Sequence, residues 1–393
     1  MALGSQINQV SQIGVETTPG TVVPCTRRLL AAGIDLSYQM DTQDIRPQGY
    51  KISTAHPLNK EWSSGKFDGG FAFNEVQYPL ASVMSKATPT PILAGVVYAN
   101  STAYALGAIV RPTTPNGNRY VVTVAGTSGT TEPAFPTAPG STVVSGTVTF
   151  KQAGADVVAH EWIFEMSTTG KDNIQTYTVE QLDSVRNRAV RAAYCYFSSF
   201  KLSSKRSDKV SVSSQLMGQN LVSGITPSTG AVEQTIVPGT TSMVNVYLDT
   251  TSAALGTTQL TQNFAFDCEV SDRFQVAWLH NRANASWNEH VEKEPKVGHS
   301  ITIADDIPFD NVVANMRKGQ RMFARFEIKG LEVEPNSGVF YTFQWDIAGQ
   351  VRDQPDLSNT DGAYTAKLNF DAEHDGTWGR GHRMRLINKN SAL

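Results

Sequence analysis

The chain has 393 residues, 40% hydrophobic and 18% charged, which is enough apolar material for two or three packed domains. A net charge of -3 argues against a protein that grips nucleic acid through a basic face, while leaving room for DNA to pass a neutral or acidic wall. Three widely separated cysteines, Cys25, Cys195 and Cys268, fit free packing thiols in a reducing compartment, no apolar run nears the roughly 20 residues of a membrane span, and MALGSQINQV lacks the basic-then-apolar order of a signal peptide, so the chain is expected to stay where it is made.

In chain order, Gly14 to Thr21 (GVETTPGT) has glycines and a proline that predict an arm or ordered loop. Leu30, Ala32, Ile34, Leu36 and Tyr38 alternate with Gly33, Asp35 and Ser37 as a first strand, and Gln39 to Lys60 reads as a long polar connection. Phe67, Gly69, Phe71 and Phe73 make a second strand, and Leu80, Val83, Met84 and Ala87 take helical spacing after Pro79. From Tyr98 to Gly154 the composition shifts to Thr, Gly, Pro, Val and Ala with few charges, which predicts a separable, inserted all-β module with Tyr98, Tyr104, Tyr120 and Phe135 as its core. Trp162 to Phe164 and Gln175 to Glu180 are further strands. Tyr194 to Leu221 then reads as a long two-faced hairpin, with Tyr194, Tyr196, Phe200 and Leu202 on one face and Ser199 and Lys201 on the other, returning through Val210, Val212 and Leu216 against Ser211, Ser213 and Gln215.

Ser223 to Thr241, rich in Gly, Pro, Ser and Thr, predicts a linker. In the second half, Phe264 to Val270 is expected to pair across Ser271 and Asp272 with Phe274, Val276 and Trp278, and Trp287 to Gly298 reads as a charged loop. A helix over Pro308 to Met316 before Gly319 matches the one at Leu80. A second long hairpin joins Tyr341, Phe343, Trp345 and Ile347 to Tyr364, Leu368 and Phe370, with Asn369 and Asp371 on its polar face. Two halves of loop, helix and long hairpin suggest a duplication.

No constellation points to catalysis. None of the seven histidines has zinc-ligand spacing, Glu289-His290 lacks a second histidine four residues away, and no Gly-x-Ser-x-Gly elbow occurs. Asp371, His374, Asp375 and His382 read as a solvated loop, Gly376, Gly379 and Gly381 form no phosphate cradle, and Asp305-Asp306 reads as a capping pair. The expectation is a chain without enzymatic activity, cofactor or metal.

The GVETTPGT arm followed by Arg27-Arg28-Leu29, the Gly-x-Phe strand after a long loop, the Thr-Tyr-Thr-Val-Glu strand and the hairpin ending in Leu216-Met217-Gly218-Gln219 together resemble the major tail tube proteins of long-tailed bacteriophages. The insert, through Gly126-Thr127-Ser128-Gly129 and Glu132-Pro133-Ala134-Phe135, resembles small Ig-like or carbohydrate-binding-like β modules of phage structural proteins, with phenylalanine at 135 and 150 where tryptophan is frequent.

The resemblance implies a mainly β fold with few short helices. Tail-tube-type sandwich or barrel modules, two per chain (1–97 with 155–222, and 242–393), would flank an inserted β module at 98–154, and long hairpins would form a shared oligomeric barrel. The implied setting is a virion tail assembled in the host cytoplasm. Partners would be further copies of the chain in stacked rings of three or six, tape measure and terminator proteins, and DNA passing through the lumen. Ser211, Ser213, Gln215, Asn369 and Asp371 are the candidate lumen-facing residues; Asp41, Asp44, Arg46, Lys51, Lys60, Glu292, Lys293 and Lys296 are the candidate inter-ring loop residues. The alternative is an adhesin or fibre protein whose insert binds host-surface glycans.

Overall fold

The computed structural model describes residues 9–183, 185, 188–280, 285–304, 307–353, 357–360 and 362–393. The fold is mainly β, 53% strand and 6% helix. It divides into one compact unit of Met1–Ala87, Phe164–Ile328 and Gln344–Met384 and another of Thr88–Ile163, Lys329–Phe343 and Arg385–Leu393.

A set of elements occurs twice, within the first unit except for the ends of three strands that fall at 329–343 and 385–393. The first half supplies β1 (Gln9–Val15), β2 (Ala32–Thr42), β3 (Leu58–Gly70), α1 (Gln77–Val83), β4 (Tyr177–Asp183), β5 (Arg188–Phe197), β6 (Phe200–Lys205), β7 (Ser211–Gly218) and β8 (Leu221–Ile225). The second supplies β9 (Val244–Asp249), β10 (Asn263–Ser271), β11 (Phe274–Ala277), β12 (Glu289–Glu292), β13 (Lys296–Ala304), α2 (Ile307–Arg317), β14 (Met322–Glu332), β15 (Phe340–Val351), β16 (Leu357–Thr360), β17 (Ala363–Ala372) and β18 (His382–Asn388).

β1–β4–β5–β8 make one antiparallel ladder and β2–β3–β7–β6 another, with the end of β5 also pairing β7. In the second half β9 pairs β14, β15 pairs β18, β10–β13–β17–β16 form the counterpart ladder, and the end of β15 pairs β17. The match extends to single residues. Phe197 faces Leu216 and Gly65 faces Leu216 in the first half; Val351 faces Phe370 and His299 faces Phe370 in the second. The halves join through β6 and β10, antiparallel from Phe200 opposite Val270 to Lys205 opposite Ala265. The result is one sheet in the order β2-β3-β7-β6-β10-β13-β17-β16, open at both ends, and no barrel closes within the chain among the described residues.

Period-two alternation gives this sheet its two faces. Val212, Leu202, Cys268, His299 and Phe370 are neighbours across five strands and all are buried. The helices differ in their cover: all seven residues of α1 are buried, whereas Val312 is the one buried residue among those described on α2. Just past the end of α2 stands Gly319, whose φ of +64° suits glycine and lets the amides of Gly319 and Gln320 donate to the Met316 and Asn315 carbonyls.

Several segments depart from the sequence reading. The arm is strand as far as Val15, and the chain beyond it wraps Glu16, whose buried carboxylate accepts from the amides of Gly20 and Tyr194 and the hydroxyls of Thr176 and Thr178. Those bonds hold Tyr194 at φ +51°, in a break of the β4–β5 register, so Tyr194 is not part of a regular alternation. The hairpin register also shifts between Phe197–Leu216 and Lys201–Ser213, and ahead of that shift both faces are covered: Tyr196 packs with Phe274 and Trp287 and Phe197 with Phe67 and Tyr177, so both are buried.

The two ends of the predicted connection Gln39 to Lys60 extend β2 to Thr42 and β3 back to Leu58, and residues 43–57 between them form the long loop, with a bridge between Ile45 and Ala55. The predicted linker carries β8, and Asn74 ties it down by donating to the Thr235 carbonyl and accepting from the Val237 amide. β10 pairs β6 and β13, and β11 pairs β12 instead of folding back on β10. Trp287 to Gly298 is largely strand. β15 meets only the end of β17, at Phe370 to Ala372; β13 runs beside β17 from Thr365 to Asp371, and β16 pairs its start, Ala363 to Ala366. Asp305-Asp306 lies outside the described residues.

The second unit holds a five-stranded sheet (Thr142–Ser145, Val148–Ala155, Asn118–Val124, Ile109–Arg111, Val96–Val97) around Tyr98, Tyr104, Val110, Tyr120, Val122, Val148 and Phe150. Ile109 also packs on a second cluster of Ala94, Val158, Ala159, Val333 and Ile387. Arg119 pairs with Glu334, which Lys389 also reaches at 3.2 Å. Residues 98–154 are therefore stitched to 329–343 and 385–393 within this unit.

His299 stacks on Phe370 at 4.4 Å between ring centroids and meets Phe326 edge-on, and neither ring nitrogen has a hydrogen-bond partner among the described residues. Burial lowers its pKa from 6.5 to about 3. The unfolded chain thus takes up this proton near pH 6.5 and the folded chain only near pH 3, so the contribution of His299 to stability falls as the pH drops through that window and is level outside it. His299→Leu is expected to leave stability at pH 7 nearly unchanged and to recover about 2 kcal/mol of the loss near pH 4.5, checked by urea midpoints at the two pH values.

Candidate functional site

The polar face of the eight-stranded sheet gathers residues far apart in sequence. Asp68, Ser213, Lys201, Glu269, Gly298 and Asp371 stand opposite one another in a row across β3, β7, β6, β10, β13 and β17. A second row runs Ser211, Ser203, Asp267, Ser300 and Asn369, and Gln215 lies opposite Lys66. All five residues predicted to face a lumen, Ser211, Ser213, Gln215, Asn369 and Asp371, are thus on one face of one sheet. A groove of about 650 Å³ over β6, β10, β13 and β17 is lined by Lys201, Asp267, Glu269, Lys296, Asn369 and Asp371.

Charges here neutralise one another. Lys66 lies 3.3 Å from Asp68, Lys201 3.8 Å from Asp267, Arg352 3.2 Å from Asp371, and Lys296 2.6 Å from Asp272. The hydrogen bond from Lys296 holds the Asp272 carboxyl below its usual range and raises the Lys296 ammonium in turn. Exposed pairs of this kind add little stability. They do limit what this face can hold, because a cation already facing a carboxylate has less field left for a phosphate.

The predicted inter-ring residues fall in two places. Asp41, Asp44, Arg46 and Lys51 are exposed on the outer part of the β2–β3 hairpin, which also carries the exposed Met40, Ile45, Tyr50, Ile52 and Leu58. Lys60 lies 5.0 Å over the Trp278 ring. Lys293 is exposed, Lys296 belongs to the groove, and Glu292 is tied internally, accepting from the Asp172 amide at 2.7 Å and lying 3.6 Å from Arg273. Arg273 is itself buried, pairing with Asp172 and donating to the Val83 carbonyl at the end of α1. In the insert, Tyr98, Tyr104 and Tyr120 are buried and Phe135 packs against them, so the aromatic rings that a sugar would stack on form the module's core.

Sequence reasoning missed Lys66, Asp68, Asp267, Glu269 and Ser300 as members of the site. The alternation of Phe264 to Val270 already put Asp267 and Glu269 on the polar face; what it could not supply was the strand beside them. No protein-family model matches the chain, and a search of curated proteins finds no similar sequence.

If paired charges keep this wall from holding DNA, Glu269→Lys with Asp371→Lys will create a binding surface. Duplex DNA should then bind at low salt, with the log–log salt slope steepened by about 0.9 for each added phosphate contact. Fluorescence anisotropy across a salt series measures it; equal DNA binding by parent and variant would remove the argument from charge.

Proposed function

We propose that the chain is a structural protein that assembles, edge to edge, into rings forming the tail tube of a bacteriophage, with the polar face of the eight-stranded sheet as the wall of a conduit for DNA. The observation that carries the reading is the repetition itself: two four-stranded ladders of matching order, joined β6 to β10, present a single charge-paired face and leave β2 and β16 as unlike open edges. Unlike edges join head to tail, and such contacts propagate to a closed ring or a filament. The resemblance of the arm, strands and hairpin to major tail tube proteins supports the same reading, as does a wall whose cations face carboxylates.

The internal seam gives the register of the external one. β16 corresponds to β6 and β2 to β10, so Leu357 takes the place of Leu202 and Leu36 that of Cys268, which face each other inside the chain. A ring of three chains then has six similar sectors, each seam an antiparallel strand pair.

Leu36→Cys with Leu357→Cys places two thiols at directly opposed positions, within disulfide reach across an antiparallel pair. The expected product on oxidation is covalent dimer and trimer, with the ladder ending at trimer, and a cryo-EM cross-section with threefold symmetry and six similar sectors. Six identical chains in a ring would refute the two-repeat arrangement, and a monomer with neither rings nor tubes at high concentration would refute the tube.

A further inference from the structure

The outer edge of β2 is not bare. Ser11, buried on β1, accepts from the Ile34 amide at 2.9 Å and its hydroxyl is 3.1 Å from the Ile34 carbonyl; Gln181 of β4 accepts from the Leu36 amide at 3.2 Å. Two side chains thus occupy backbone groups that a neighbouring strand would use. Beyond them, no strand pairs this edge among the described residues.

The second half supplies an internal control. Ser11 and Gln181 face each other across β1 and β4, as Asn245 and Glu327 do across β9 and β14. On β10, Phe266 and Cys268 correspond to Ile34 and Leu36, and there a real strand is in place, with Ser204 opposite Phe266 and Leu202 opposite Cys268. Asn245 does not reach for β10; its amide donates to Glu327 at 3.3 Å. Where the seam is filled the two polar side chains bond each other, and where it is empty their counterparts turn onto the strand edge.

We propose that Ser11 and Gln181 form a removable cap on the β2 edge, which keeps the free chain from pairing until β16 of a second copy displaces them. The inference rests on the ring reading and adds to it the surface and its regulation. Edge strands are hazards for uncontrolled association, and an unpaired buried amide is costly, so side chains that satisfy Ile34 and Leu36 blunt the edge while remaining exchangeable for strand hydrogen bonds. On displacement, Asn359 and Leu357 of the incoming β16 would stand opposite Ile34 and Leu36, as Ser204 and Leu202 stand opposite Phe266 and Cys268.

The test compares the full-length parent with Ser11→Ala/Gln181→Ala by sedimentation and light scattering over a concentration series, with amide hydrogen exchange on the unassembled proteins. Removing the cap is expected to lower the onset concentration for assembly about tenfold and to speed exchange at Ile34 and Leu36 while exchange at Phe67 on β3 stays unchanged. An onset that is unchanged or raised, with Phe67 still protected, overturns the cap and leaves the ring reading standing. If β3 protection is lost, the conservative Ser11→Thr, which keeps the hydroxyl, joined to Gln181→Glu, which keeps the acceptor, should restore both protection and the parental onset; failure of that rescue also overturns the cap. Absence of assembly by the parent and both variants, together with no cross-link between the two introduced thiols of the Leu36→Cys/Leu357→Cys chain, overturns the ring reading and the cap together.

Discussion

The ladder between β6 and β10 decides what the rest of the first unit can be. Each half alone has a four-stranded sheet with one apolar face and two edges, and pairing Phe200 through Lys205 with Ala265 through Val270 turns two such sheets into one. The pairing aligns Leu202 with Cys268 on the buried side and Lys201 with Glu269 on the polar side, so one register sets both the core and the charged wall. A slip of a single residue would carry Lys201 into the core and Leu202 to the wall, which is why this seam must be specified so tightly.

Packing around the seam differs between the halves in a way that follows from position. α1 is covered within its own unit: the Arg273 guanidinium donates to the Val83 carbonyl, Tyr177 donates to the Tyr78 carbonyl and Ser82 to the Gln175 carbonyl. α2, its counterpart, presents Asn311, Ala314 and Arg317 to solvent. Each repeat in the chain has the other on one side only, so equivalent elements are not equally buried, and on the proposed ring reading further copies of the chain would supply the missing neighbour.

Much of the fold was legible because alternation is a local property. The faces of β2, β7, β10 and β17 could be read directly, and with them the five predicted lumen residues, since Ser211, Ser213 and Gln215 alternate with Val212, Ser214 and Leu216. Partner choice was not legible, because period two assigns a face and says nothing about which strand lies alongside. Hence nearness in sequence points Phe274 to Ala277 at β10, when it belongs with Glu289 to Glu292. Charge misleads in the same segment: Glu292 looks like a loop residue until Arg273 and the Asp172 amide are beside it. The break at Tyr194 was invisible for another reason, since a non-glycine residue at positive φ is held there by Glu16, a contact 178 residues away in sequence.

Fusing two repeats into one chain also changes how edges can be managed. In a ring of six separate repeats every subunit would carry the same pair of edges, and any device guarding one edge would guard all of them equally. In a ring of three two-repeat chains half of the seams would be made during folding at the high effective concentration of a tether, so those edges would need no guard. The two pairs could then diverge: Asn245 and Glu327 bond each other beside the filled seam, whereas Ser11 and Gln181 bond the β2 edge, which on the proposed ring reading is the edge a second copy would take. On that reading the difference between these two pairs is what two repeats in one chain would make available, an assembly with its internal contacts fixed and its external ones held back.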